Sequence, residues 1–115
     1  MSGEDRLYSQ YIYERMGQSS LWRDFGFLAY KIKEKECFIA EMFIHREKRT
    51  LGNGRQLLND LVDIAKGNGC DVVTANIHLL DQNANKTLIA AIACGFEVSK
   101  AGNDVLLISM KLKEQ

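Results

Sequence analysis

Two apolar runs, "CFIAEMFI" (37–44) and "CDVVTANIHLL" (70–80), stand on either side of one amphipathic segment, and that arrangement restricts the folds open to the chain. Between them, Leu57, Leu58, Leu61, Val62, Ile64 and Ala65 recur at helical spacing over 53–66, and Gly67 and Gly69 supply a stop. A strand, a helix and a second strand in succession bring the chain back parallel to its start, because parallel neighbours need a crossover of about this length. The second run is almost continuously apolar, which suits a strand inside a sheet.

The flanking segments read as antiparallel additions to this unit. "FGFLAYKI" (25–32) precedes the first run, and the charged "KEKE" between them suits a hairpin turn. After the second run, Asp81 or Asn83 is placed to cap a helix "ANKTLIAAIAC" that Gly95 ends. "FEVSK" and "DVLLISMKL" then flank the turn "AGN". At the front, "RLYSQYIYERMG" (6–17) reads as a short helix with Leu7, Tyr8, Tyr11 and Ile12 on one side. The order is α-β-β-α-β-α-β-β, an α/β fold with a mixed parallel and antiparallel sheet flanked by helices. With 115 residues, 46% of them apolar, and no repeat or Pro/Ser-rich linker, residues 1–115 are expected to form a single domain around one core.

Charge and cysteines narrow the function classes. Fifteen basic and fifteen acidic side chains cancel, which argues against a chain held to nucleic acid or membrane by net charge. The local cluster "HREKR" reads as a solvated loop with no stacking platform beside it. No apolar run approaches the roughly 20 residues that span a bilayer, and "MSGEDRLYSQ" lacks the apolar centre of a secretory signal. Cys37, Cys70 and Cys94 form no Cys-x-x-Cys pair, so neither a metal knuckle nor a disulfide framework is indicated, and a reducing cytoplasm is the expected compartment.

The connection "HREKRTLGNGRQLL" (45–58) carries the chemistry. A helix opening presents unpaired N–H groups and the positive end of the helix dipole. Glycines there let a bulky anion reach the backbone, and Gly52 and Gly54 meet that need, while Arg49 and Arg55 add charge suited to phosphate. A glycine-rich turn that holds nothing is the plain alternative. Two familiar phosphate loops do not fit: no Lys-Ser/Thr follows Gly54, and Leu57 occupies the place of the third glycine in Gly-x-Gly-x-x-Gly.

"RTLGNG" satisfies Arg/Gln-x-x-Gly-x-Gly/Ala, and here the chain resembles the GNAT superfamily of N-acetyltransferases. Ile44 matches the small aliphatic residue that ends that family's preceding strand, and "NIHLLDQNANKTLIAAIACGFEV" resembles its next segment, closing on Gly95-Phe96. The likeness covers roughly 37–112. It implies that the backbone of Leu51, Gly52, Asn53, Gly54 and Arg55 holds the pyrophosphate of acetyl-CoA beside Arg49. It also implies that Met42, Phe43 and Ile44 pair with the pantetheine arm through main-chain groups, and that Asn83 stands in the family's asparagine position, with Asn85 as rival. The implied reaction moves acetyl from acetyl-CoA to a primary amine, with no metal.

Two departures bear on that reaction. Only one helix and one hairpin precede the motif, so the acceptor side is reduced or completed by a second copy, a hint of a homodimer. Ala91 stands where many members carry a tyrosine that protonates the departing thiolate. For the base, Glu41 is the only charged residue in 37–44, and an apolar setting would improve its basicity. Its plain alternatives are a pair with Lys31 or Lys33 across the hairpin, or simple exposure to solvent. His45 and His78, at the two strand ends, are the other candidates. Cys94 has no adjacent base and reads as packing; Tyr8, Tyr11, Tyr13 and Trp22 read as a core-facing stripe, with a substrate groove or dimer contact as alternatives. A catalytically inactive GNAT-like module that binds CoA or a protein partner is the rival function. Small polyamine, antibiotic, amino acid, protein N-terminus and lysine all stay open as acceptor.

Overall fold

The computed structural model describes residues 3–49 and 52–112. Helix α1 (Gly3–Met16) is followed by strands β1 (Ser19–Arg23), β2 (Gly26–Lys33) and β3 (Glu36–Ile44), then a short 3-10 turn (Arg46–Lys48) and helix α2 (Asn53–Gly67). Strand β4 (Val72–His78), helix α3 (Ala84–Ala93) and strands β5 (Glu97–Ala101) and β6 (Val105–Lys111) complete the order. The strands form one six-stranded sheet, β1-β2-β3-β4-β6-β5, in which β3 and β4 run parallel and the other neighbours antiparallel. The strand-helix-strand unit therefore sits at the sheet's centre.

The sequence reading lacked β1. Its residues, "SSLWR", carry two serines and an arginine, and an edge strand needs only one apolar face. The structure pairs Leu21 with Leu28 and Trp22 with Phe27, so three antiparallel strands precede the glycine turn instead of one hairpin. The "KEKE" turn closes as expected, with Glu34 in the left-handed region (φ 58).

Side-chain alternation divides the sheet into two faces. On one face, Leu28, Cys37, Val73, Ile77 and Ile108 join Leu57, Leu58, Leu61 and Ala65 of α2 and Ala84 and Ala91 of α3 in the main core. On the other lies α1, whose fully buried Ile12 and the fully buried Ala29 of β2 stand outside that cluster. The apolar side of α1 is narrower than its sequence implied. Leu7, Tyr11 and Tyr13 are exposed, and the residues turned to the sheet are Tyr8 and Ile12, four apart. The expected core-facing aromatic stripe is thus corrected: Tyr11 and Tyr13 lie outside it, and Tyr8 meets Trp22 and Phe27 at a groove.

Gly26, at the start of β2, is required by close approach of backbone to backbone. A Cβ there would lie 2.1 Å from the carbonyl oxygen of Phe43. Gly26→Ala must push β2 away from the end of β3, and it should lower stability by about 2 kcal/mol or more, a fall in Tm on the order of 10 °C. Thermal unfolding followed by circular dichroism measures this; an unchanged Tm would show that the two strands part freely.

Candidate functional site

The site begins where the central parallel pair comes apart. Glu36 to Ile39 of β3 pair with Val72 to Ala75 of β4. Beyond that point β3 stays with β2, through Glu41, Met42, Phe43 and Ile44, and β4 stays with β6, through Asn76, Ile77 and His78. The two strands fan apart, and their facing edges are no longer joined to each other. The local cause is a bulge: Ala29 is opposite Glu41 but Tyr30 is opposite Ile39, so Ala40 is an extra residue in β3. A bulge bends its strand and adds twist, and here it falls at the last β3–β4 pair.

Helix α2 opens beside this fork. Its N-cap is Gly52, with φ 80, and no side chain caps it. The Asn53 side chain turns back to donate to the Lys48 carbonyl at 2.9 Å, and the first turn carries no acidic residue. The N–H groups of a first turn have no partner inside the helix. Among the described residues, and leaving chain neighbours aside, a Cβ on Gly52 would meet nothing within 4 Å, and one on Gly54 only Ile44 Cγ1 at 4.0 Å. Arg55 is exposed. Arg49 braces the connection, its Nε donating to the Ile44 carbonyl at 2.9 Å and its guanidinium lying 5.6 Å from the Phe43 ring centre. Leu51 lies outside the described residues.

Helix α3 opens at the same end of the sheet, since each helix follows the C-terminal end of a central strand. Asn83 is its N-cap, exposed and without a side-chain capping bond; its N–H donates to Asp81 Oδ1 at 2.9 Å. Two positive helix ends without acidic first turns therefore lie at one edge of the sheet.

Glu41 sits two residues past the last β3–β4 pair, on the face that α1 covers. It is exposed, so the apolar setting expected for it is absent. Nor does a lysine hold it: among the described residues neither Lys31 nor Lys33 forms an ion pair with it. Tyr8 of α1 donates its hydroxyl to Glu41 Oε2 at 3.2 Å. Burial first, and then the Glu41 charge, pushes the Tyr8 phenol above its ordinary value, so it remains a donor at neutral pH. No local sequence signal ties residues 33 apart, and this contact was invisible until the fold existed.

His45 and His78 end β3 and β4 and are both exposed; His45 Nδ1 accepts from the Glu47 N–H at 3.4 Å. Ala91 is buried in the main core, and Cys94 packs against it. The thiols are free, and burial, with Cys70 and Glu36 nearby, pushes Cys37 up to about 12, a poor nucleophile. Among the described residues, no group of three His, Cys, Asp or Glu is arranged to hold a metal, and no helix is long and apolar enough to cross a membrane.

Comparison with known proteins places this geometry. The sequence profile of the Acetyltransferase (GNAT) family matches residues 8–96. An acetyltransferase of Bacillus subtilis, solved in complex with CoA, superposes with a TM-score of 0.76 at 15% identity, over 98% of this chain and 95% of its own. The PaiA N-acetyltransferase of Thermoplasma acidophilum, in complex with coenzyme A, gives 0.74 at 16% identity, over 95% and 71%. YncA of Salmonella typhimurium, with its cofactor acetyl-CoA, gives 0.71 at 19% identity, over 100% and 76%. No curated protein sequence matches the chain.

The two turn glycines make opposite demands on stability. Gly52→Ala places an L side chain at φ 80 and should cost about 1 kcal/mol, whereas Gly54→Ala enters the first helical turn without a clash and should add up to about 1 kcal/mol. Paired thermal melts without ligand should show Tm moving down for the first and up for the second. Two equal losses would place Gly54 in the fold rather than in the site.

Proposed function

The chain belongs to the GNAT acetyltransferase family, and we propose that it is an acetyl-CoA-dependent N-acetyltransferase acting on a primary amine by direct attack. The observation that carries this reading is the fork between β3 and β4, opening beside the N-terminus of α2, which no side chain caps. A diphosphate would sit before Gly52 and Gly54, where a Cβ meets no close contact among the described residues and the N–H groups of Asn53, Gly54 and Arg55 and the helix dipole supply donors and positive potential. Leu51 completes that loop in sequence, and Arg49 holds the loop to the end of β3. Beyond Ile39 the edge of β3 no longer pairs with β4, so Met42, Phe43 and Ile44 are placed to offer main-chain groups to an extended arm, although the Ile44 carbonyl already accepts from Arg49. Asn83, on the far side of the fork, is a further contact for that arm. That three structural neighbours were solved with CoA or acetyl-CoA supports this reading.

Bound acetyl-CoA supplies the activated acyl group. An amine with a pKa of about 10.4 is neutral in only about one molecule in a thousand near pH 7.4, so removal of its proton is the chain's main chemical task. Glu41 is the proposed base: it lies at the fork, faces the α1 side and is oriented by Tyr8. His45 and His78 remain alternative acceptors of that proton at the two strand ends. A C–N bond forms as the C–S bond breaks; the amine proton passes through the base to solvent, and a solvent proton ends on sulfur. The buried Ala91 offers no hydroxyl for that last step. It also motivates the second reading, a family member that binds CoA or a protein partner without turnover. We place the chain in a reducing cytoplasm, where three free thiols persist.

Acetyl-CoA at about 100 times its Kd should stabilise the chain by about 2.7 kcal/mol, several degrees in Tm. Gly52→Asp, which tolerates the left-handed backbone but sets a carboxylate against the diphosphate, should keep the fold and abolish that rise. Glu41→Gln should lower kcat with amine acceptors by a factor of about 100 or more. No rise with wild type at millimolar acetyl-CoA contradicts the reading, and a rise without turnover of any amine selects the inactive module.

A further inference from the structure

An open groove of about 640 Å³ lies between the N-terminal end of α1 and the ends of β1, β2 and β3, and Tyr8, which bonds Glu41, is part of its lining. Its wall is a continuous run of rings. Trp22 stacks on Phe27 with centroids 4.5 Å apart, Tyr8 meets Phe27 at 5.7 Å, and Phe43 follows at 6.3 Å from Phe27. Tyr8 and Phe43 remain 36% and 49% exposed, so ring surface is left open in the groove. Carboxylates of Glu4, Asp5 and Asp24 lie on its rim. Its one arginine, Arg23, is drawn away: Nη2 bonds Asp60 Oδ2 at 3.1 Å and Nη1 the Trp22 carbonyl at 2.8 Å. The result is a ring-walled, negatively charged trough whose inner end meets the proposed base through Tyr8.

From this geometry we infer that the acceptor is a flexible aliphatic diamine or polyamine: one primary amine at Glu41 and a second cationic nitrogen, a few methylenes away, at Glu4 and Asp24. The methylenes lie along the rings, and the distal cation gains both cation–π attraction and the rim carboxylates. Amino acids and other acceptors bearing a carboxylate are disfavoured, because three carboxylates already line the groove and its arginine, Arg23, is tied to Asp60. A lone monoamine uses only half of the trough. The inference rests on the acetyltransferase reading of the same site, but it concerns the groove itself and is tested without turnover.

Trp22 is the chain's only tryptophan and forms part of the wall, so its emission reports occupancy directly. The protein alone, at fixed ionic strength, is titrated with 1,4-diaminobutane, 1-aminobutane and sodium butanoate. The diamine should give a saturable change at a concentration about tenfold or more below that of the monoamine, with no saturable response to butanoate. Glu4→Gln combined with Asp24→Asn should erase the difference between the two amines while leaving the acetyl-CoA rise in Tm intact. Equal half-saturation for the two amines, a preserved difference in the double variant, or no saturable response to the diamine overturns the inference. Any of these alongside a normal acetyl-CoA response leaves the acetyltransferase reading standing; loss of that response alone counts against that reading and not against the groove.

Discussion

The architecture depends on a parallel pair that is only half made. β3 and β4 hold each other from Glu36 to Ile39 and then separate, and both remain ordered strands because each has an outer antiparallel partner. Splitting a sheet in its middle would ordinarily expose backbone groups without support. Here β2 and β6 carry the two halves, and α2 and α3 cover one face across the division. The bulge at Ala40 decides where the division begins, because one inserted residue both re-aims β3 and switches the alternation of its side chains. Without that switch Glu41 would point toward the main core; with it, Glu41 shares the α1 face with Ala29.

The same fork explains why the helix openings are bare. A side-chain cap on α2 would satisfy its first-turn N–H groups locally and fill the space in front of them. Gly52 avoids both, and Gly54 keeps the first turn open although alanine would be the better helix residue there. The local stability forgone is on the order of 1 kcal/mol, small beside the binding free energy that a diphosphate clasped there would bring. Arg49 adds rigidity to this arrangement by tying the loop to the last carbonyl of β3.

Much of this was readable in the residues, and what was not has physical reasons. The central strand-helix-strand unit, the two later strands and the glycine turn are local patterns of period and turn chemistry, and α2 and β4 appear where those patterns put them. β1 was missed because a short edge strand with polar residues carries no periodic signal. The setting of Glu41 was misjudged for a related reason. An apolar run reports that one face of a strand is buried, but a bulge inside the run changes which face. The Tyr8–Glu41 contact and the ring wall of Trp22, Phe27 and Phe43 join three separate segments, and only the closed sheet brings them together.

The measurement that bears most directly on the account is an amide-resolved NMR titration with acetyl-CoA. The account predicts the largest shift changes at the amides of Gly52, Asn53, Gly54 and Arg55, with a second set along residues 40–44 and 76–78, on the two arms of the fork. If those amides stay unmoved at millimolar acetyl-CoA, or the changes cluster away from the fork, the bare helix mouth is not a diphosphate seat and the account fails.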